Sequence, residues 1–319
     1  MLITILLLTA GLVLLIKGAD WLITGASALA KKYHVSDLVI GLTIVAFGTS
    51  APELVVNTFA AFEGHSDIVF GNVIGSNLFN LFVILGISGI IMPLAVHVST
   101  VWKEIPFSLL AVLVLYLLVN DHFFTDSADV LSRFDGILLL ILFGIFLFYI
   151  YYQIKNNPQV PEEAHKNYSG LKLTKLIIIG LGALVAGGKL VVNSTVEIAT
   201  VLGVSEKIIA LTIVAAGTSL PELATSIVAA VKRKSDIAVG NIIGSNVFNI
   251  FLILSVSSII RPVSYNISFN TDLYLLTGGT LLLVFAMFTG KRHKLDRWEA
   301  ILLLLAYVIY TFFLLSKEA

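Results

Sequence analysis

The chain has 319 residues, of which 58% are hydrophobic and 13% charged, and its formal net charge is zero. A soluble domain carries about a quarter charged residues, so this composition sets the chain apart from soluble folds, and its balanced charge offers nothing to nucleic acid. Cysteine is absent, which excludes disulfides and thiolate metal sites.

Apolar runs long enough for a helix to cross a bilayer, about 20 residues, recur from end to end. They predict ten spans at about 2–30, 37–62, 68–94, 104–120, 134–153, 173–201, 206–231, 237–260, 271–290 and 297–316. The fold class expected is an all-α integral membrane protein. Span 1 reads as a mature span: it lacks a basic n-region, and its apolar run leads into Lys17-Gly-Ala-Asp20 rather than a small-residue cleavage site. Lys17 and Asp20 lie about one turn apart and are placed to neutralise each other.

Span 2 carries Gly48-Thr-Ser-Ala-Pro-Glu-Leu54, and span 3 opens at Ser66-Asp-Ile68 and continues into Gly71-Asn-x-Ile-Gly-Ser-Asn-x-Phe-Asn80. Asp67 and Asp236 stand at the starts of spans 3 and 8, where an acid suits the helix dipole. After span 5 comes the longest polar stretch, Lys155 to Lys175. It divides the chain into a first five-span half (1–154), a linker (155–172) and a second five-span half (173–319). Histidines 34, 65, 97, 122, 165 and 293 all fall at predicted span ends or in loops, which argues against an imidazole metal cluster.

The halves are repeats. An offset of 169 aligns Ser36–Leu85 with Ser205–Leu254 without a gap, giving 29 identities in 50 positions. The identities include Gly, Pro, Asn, Thr and Glu, so shared apolarity does not explain them. Among loop and span-end Lys and Arg, 14 fall on one face and four on the other, the four being Arg133, Lys207, Arg261 and Lys317. By the positive-inside rule this places the linker in the cytoplasm and both termini outside. With five spans per half, the second half enters from the opposite side, and the repeats are expected to be inverted.

Inverted repeats with proline-interrupted helices at matching positions point to a binding site near the bilayer midplane. Pro52 and Pro221 have no N–H to give the carbonyls of Gly48 and Gly217. The freed groups either find neighbouring helices or line a polar cavity. Each proline precedes an acid, Glu53 or Glu222. An acid at membrane depth costs roughly 2.5–3.5 kcal/mol, so intramembrane carboxylates mark function by default; the alternative is a salt bridge to Lys17 or Lys189. Helical spacing puts Ala46, Thr49, Ser50 and Glu53 on one face, and Ala215, Thr218, Ser219 and Glu222 repeat it. Spans 3 and 8 add Ser76 with Asn80 and Ser245 with Asn249. Carboxylate, hydroxyl, amide and carbonyl oxygens without imidazole or sulfur suit a hard cation such as Ca²⁺.

These motifs resemble the two alpha-repeats of the calcium/cation antiporter superfamily, which includes the sodium/calcium exchangers. The resemblance rests on Gly48-Thr-Ser-Ala-Pro-Glu53 with Gly75-Ser-Asn-Leu-Phe-Asn80, and on Gly217-Thr-Ser-Leu-Pro-Glu222 with Gly244-Ser-Asn-Val-Phe-Asn249. It implies alternating access, with spans 1 and 6 sliding across a fixed eight-helix body. It also implies Glu53 and Glu222 as central Ca²⁺ ligands, assisted by the Thr49 and Thr218 carbonyls. Ala46, Ser50, Ser76, Ala215, Ser219 and Ser245 would complete flanking Na⁺ sites. Some sodium/calcium exchangers carry Asp where this chain has Asn249, so the site here is nearly symmetric, with Asn80 opposing Asn249.

The expected function is exchange of Ca²⁺ for Na⁺ across the cell membrane, with H⁺/Ca²⁺ exchange at the same site as the alternative. Two further readings are a cation channel using a ring of acids and an intramembrane acid protease. The partners implied are Ca²⁺, a monovalent counter-ion and the bilayer. No cofactor, nucleic acid, obligate protein partner or enzymatic turnover is implied.

Overall fold

The computed structural model of the protein describes residues 2–98, 100–120, 129–156, 169–202, 215–289 and 293–318. The predicted start of span 7 and most of the linker lie outside the described residues. In chain order the helices are α1 (Leu2–Lys32), α2 (Asp37–Thr49), α3 (Ala51–Glu63), α4 (Ser66–Ile91), α5 (Thr100–Val119), α6 (Arg133–Asn156), α7 (Gly170–Val201), α8 (Ala215–Gly217), α9 (Leu220–Val231), α10 (Ser235–Ile260), α11 (Ile267–Ala286) and α12 (Arg297–Glu318). Among the described residues eight of them are individually long and apolar enough to cross a membrane, and α2 with α3, bent by 47° at the break between them, passes the same test as a pair.

Helix ends follow local chemistry. Met92 and Arg261, which precede Pro93 and Pro262, are extended at φ −143° and −149°. The proline ring disfavours helical backbone in the residue before it. Span 3 therefore ends at Ile91 instead of running to 94. α6 runs on to Asn156 and α7 begins at Gly170. Among the described residues the strands form two antiparallel two-residue ladders. One joins β1 (Leu94–Ala95) to β4 (Lys294–Leu295), the other β2 (Val130–Leu131) to β3 (Val263–Ser264).

α4 and α10 are the most enclosed spans, whereas α1, α6, α7 and α12 turn large apolar side chains outward. This division follows polarity. Serine and asparagine side chains on α4 and α10 need protein partners that lipid cannot supply. Both helices pass through a π-helical turn, at Phe79–Ile84 and Phe248–Ile253, a device that recurs at functional sites.

α1 and α7 pack backbone against backbone. A Cβ at Gly18 would stand 2.8 Å from the Gly180 carbonyl, and one at Gly11 3.0 Å from that of Gly187. Rising numbers on one helix meet falling numbers on the other, so the pair is antiparallel.

Candidate ion-binding site

The breaks in α2–α3 and α8–α9 create the site. Ser50 leaves the helical region at φ −83°, ψ 6°, and Ser219 at φ −88°, ψ 7°, and each proline then enters the first turn of the following helix. Glu53 and Glu222 lie in those first turns, where a helix N-terminus favours a carboxylate. Both acids are 1% exposed and sit close enough to interact.

Each half holds the other half's acid. The Ser50 hydroxyl donates to Glu222 Oε1 at 3.0 Å, and the Ser219 hydroxyl donates to Glu53 Oε1 at 3.3 Å and contacts Ser76 Oγ at 3.1 Å. Thr49 and Ser245 flank Glu222, and Thr218 flanks Glu53. Thr49 Oγ1 donates to Asn241 Oδ1 at 3.1 Å, and Thr218 Oγ1 to Asn72 Oδ1 at 3.2 Å. Among the described residues neither acid meets a lysine, so a salt bridge to Lys17 or Lys189 does not account for them. Asp20 does not pair with Lys17 either: its Oδ1 lies 2.7 Å from Lys232 Nζ.

Asn80 and Asn249 are oriented by residues that helical-face reasoning missed. Asn80 Nδ2 donates to Asn246 Oδ1 at 3.0 Å, and Asn249 Nδ2 donates to Asn77 Oδ1 at 2.9 Å. Asn77 and Asn246 also reach each other's backbone carbonyls, at 3.3 and 3.5 Å. With the amide nitrogens tied up, the Oδ1 atoms of Asn80 and Asn249 remain without a hydrogen-bond partner. Asn77 and Asn246 were present among the repeat identities, which was the available signal. A position next to Ser76 or Ser245 falls off their helical face.

The predicted residues thus converge, with two qualifications. Ala46 is buried against α10, but its carbonyl already accepts the Ser50 N–H at 3.0 Å. Ala215 opens α8, and its side chain lies outside what the structure describes.

Five buried site oxygens lack a hydrogen-bond partner: Glu53 Oε2, Glu222 Oε2, Asn80 Oδ1, Asn249 Oδ1 and Ser245 Oγ. Leaving buried polar atoms unpaired is costly, and an all-oxygen set carrying two carboxylates matches what a hard cation takes as ligands. No group of three or more His, Cys, Asp or Glu occurs among the described residues. Any cation held here therefore meets two acids and neutral oxygens.

Comparison with known proteins places these features in context. The profile of the sodium/calcium exchanger protein family matches residues 3–152 and 172–316. CaxA of Alkalimonas amylolytica, an antiporter by name, is 38% identical over 99% of this chain and all of its own length. Sodium/calcium exchanger MaX1 of Methanosarcina acetivorans is 31% identical over 96% of each chain. The structure is also similar to that of the sodium-calcium exchanger NCX_Mj soaked with zero Na⁺ and Ca²⁺, with a TM-score of 0.82 and 34% identity over 98% of this chain and 99% of that one.

Proposed function

The chain belongs to the sodium/calcium exchanger protein family, and on that premise we propose that it exchanges Ca²⁺ for Na⁺ across the cell membrane by alternating access. One observation carries this reading. Two buried carboxylates are each held by a serine of the opposite half, and buried amide and hydroxyl oxygens on the helices packed beside them have no hydrogen-bond partner.

Glu53 and Glu222 serve as central Ca²⁺ ligands, aided by the Thr49 and Thr218 carbonyls. Ser50, Ser76, Ser219, Ser245, Asn80, Asn249 and the backbone at Ala46 and Ala215 complete the Ca²⁺ and Na⁺ positions. Two ionised carboxylates carry a charge of −2, which one Ca²⁺ neutralises. Three Na⁺ in its place leave +1, so the exchange moves charge across the membrane.

The chain has ten spans in two inverted halves, 1–154 and 173–319, joined by a cytoplasmic linker, with both termini outside. The antiparallel packing of α1 on α7, the first helix of each half, supports the inversion. The distribution of Lys and Arg supports the orientation.

The test is Ca²⁺ uptake into everted vesicles. A Na⁺ gradient is expected to drive it. Uptake driven by a pH gradient alone would assign the counter-transport to H⁺, and no Ca²⁺ movement under either gradient would refute the calcium reading.

A further inference from the structure

The offset that aligns the halves carries Asp20 onto Lys189 and Lys232 onto Glu63. One half therefore offers an acid on α1 to a base that follows α9. The other offers a base on α7 to an acid at the end of α3. The two pairs are counterparts with their signs exchanged.

Only the first pair is closed. Lys232 Nζ lies 2.7 Å from Asp20 Oδ1 and donates to Thr24 Oγ1 at 2.9 Å and to the Asp20 carbonyl at 3.2 Å. Lys189 is exposed and meets no carboxylate among the described residues. Glu63 faces His65 Nε2 at 3.3 Å instead.

A deeper layer repeats this asymmetry. Asn241 Nδ2 donates to Ser226 Oγ at 3.0 Å. The counterparts Asn72 and Asn57 are not bonded, and Asn72 Nδ2 and both polar atoms of Asn57 are buried without a partner. Helix packing agrees, because α1 lies along α9 while α7 leans on α2, α8 and α9. Two layers are thus made on one side and unmade on the other.

The α1–α7 pair can couple the two sides. With Gly18 against Gly180 and Gly11 against Gly187, Asp20 and Lys189 sit about 11 residue levels, or ~16 Å, apart along the pair. A unit packed this closely, backbone on backbone, moves both charges together.

We propose that Asp20–Lys232 and Glu63–Lys189 form an alternating latch. The first pair holds the protein closed on one face. When α1 and α7 shift as a unit, it parts, and the second closes the other face. The inference rests on alternating access in the proposed function but not on which ion drives the cycle. The Asp20 and Lys232 side chains are 46% and 31% exposed. A pair this exposed biases an equilibrium by at most about fivefold, which lets the latch release in every cycle.

The full chain has no native cysteine, so paired cysteines report unambiguously. Asp20→Cys with Lys232→Cys, and separately Glu63→Cys with Lys189→Cys, are treated with a short, reducible thiol crosslinker in proteoliposomes with Ca²⁺ and Na⁺ on both sides. Both pairs are expected to crosslink. Each crosslink should stop Ca²⁺ flux until it is reduced. Crosslinking of the first pair alone, or flux that survives either crosslink, overturns the latch. As a second measurement, Glu63→Lys should slow exchange two- to fivefold, and adding Lys189→Glu should restore it; failure of that rescue also overturns it. Flux by the unmodified chain tests the transport reading separately, because crosslinking is scored without it.

Discussion

Replacing Asn246 by alanine removes a side chain that is not itself a predicted ligand but holds one in place. Asn246 Oδ1 accepts the Asn80 amide at 3.0 Å. Without it, Asn80 Nδ2 is left buried and unpaired, which costs about 1–3 kcal/mol. The amide can escape that cost only by rotating, which exchanges the positions of Nδ2 and Oδ1 and so moves the oxygen proposed as a ligand. Either outcome weakens Ca²⁺ binding. A loss of about 1.4 kcal/mol is a tenfold change, so the KM for Ca²⁺ in proteoliposome uptake should rise roughly tenfold. Asn77→Ala should act in the same way through Asn249, whose amide it accepts at 2.9 Å. Because Asn246 works through Asn80, the double variant Asn80→Ala/Asn246→Ala should be little worse than Asn80→Ala alone. A wild-type KM for Asn246→Ala, or full additivity with Asn80→Ala, would refute the reasoning.

Other perturbations probe the acids, their supports and the helix pair. Glu53→Gln or Glu222→Gln should abolish Ca²⁺ transport while leaving expression intact, and wild-type flux in both would sink the site assignment. Ser50→Ala and Ser219→Ala each remove a hydroxyl donated to the opposite acid. Hydrogen bonds to charged groups are worth about 1.5–3 kcal/mol, so each variant should shift the KM for Ca²⁺ by at least about tenfold. Gly18→Ala puts a Cβ 2.8 Å from the Gly180 carbonyl. Overpacking of this kind costs about 1–3 kcal/mol, so the variant should melt earlier and exchange more slowly. An unchanged melting temperature would show that the two backbones are not in contact.

Much of the architecture is legible in the sequence. Apolar runs mark spans because lipid offers backbone groups no partners. The duplication and the acids show plainly because Glu, Pro and Asn are anomalous within such runs. The misreadings have local causes. Hydrophobicity alone carries span 3 to residue 94, although Pro93 ends the helix at Ile91. Helical spacing pairs Asp20 with Lys17, one turn away, while Lys232, 212 positions away, takes it.

By itself the sequence determined which side chains share a helical face, since the period of a helix is a local property of the backbone. That was enough to gather Thr49, Ser50 and Glu53 on one stripe and Thr218, Ser219 and Glu222 on another. Only the tertiary structure decided that the stripes exchange partners, with Ser50 serving Glu222 and Ser219 serving Glu53 across sequence separations of 172 and 166. It alone showed that Asn77 and Asn246 aim the ligands next to them. Periodicity states which way a side chain points; what it meets there depends on how helices distant in sequence pack.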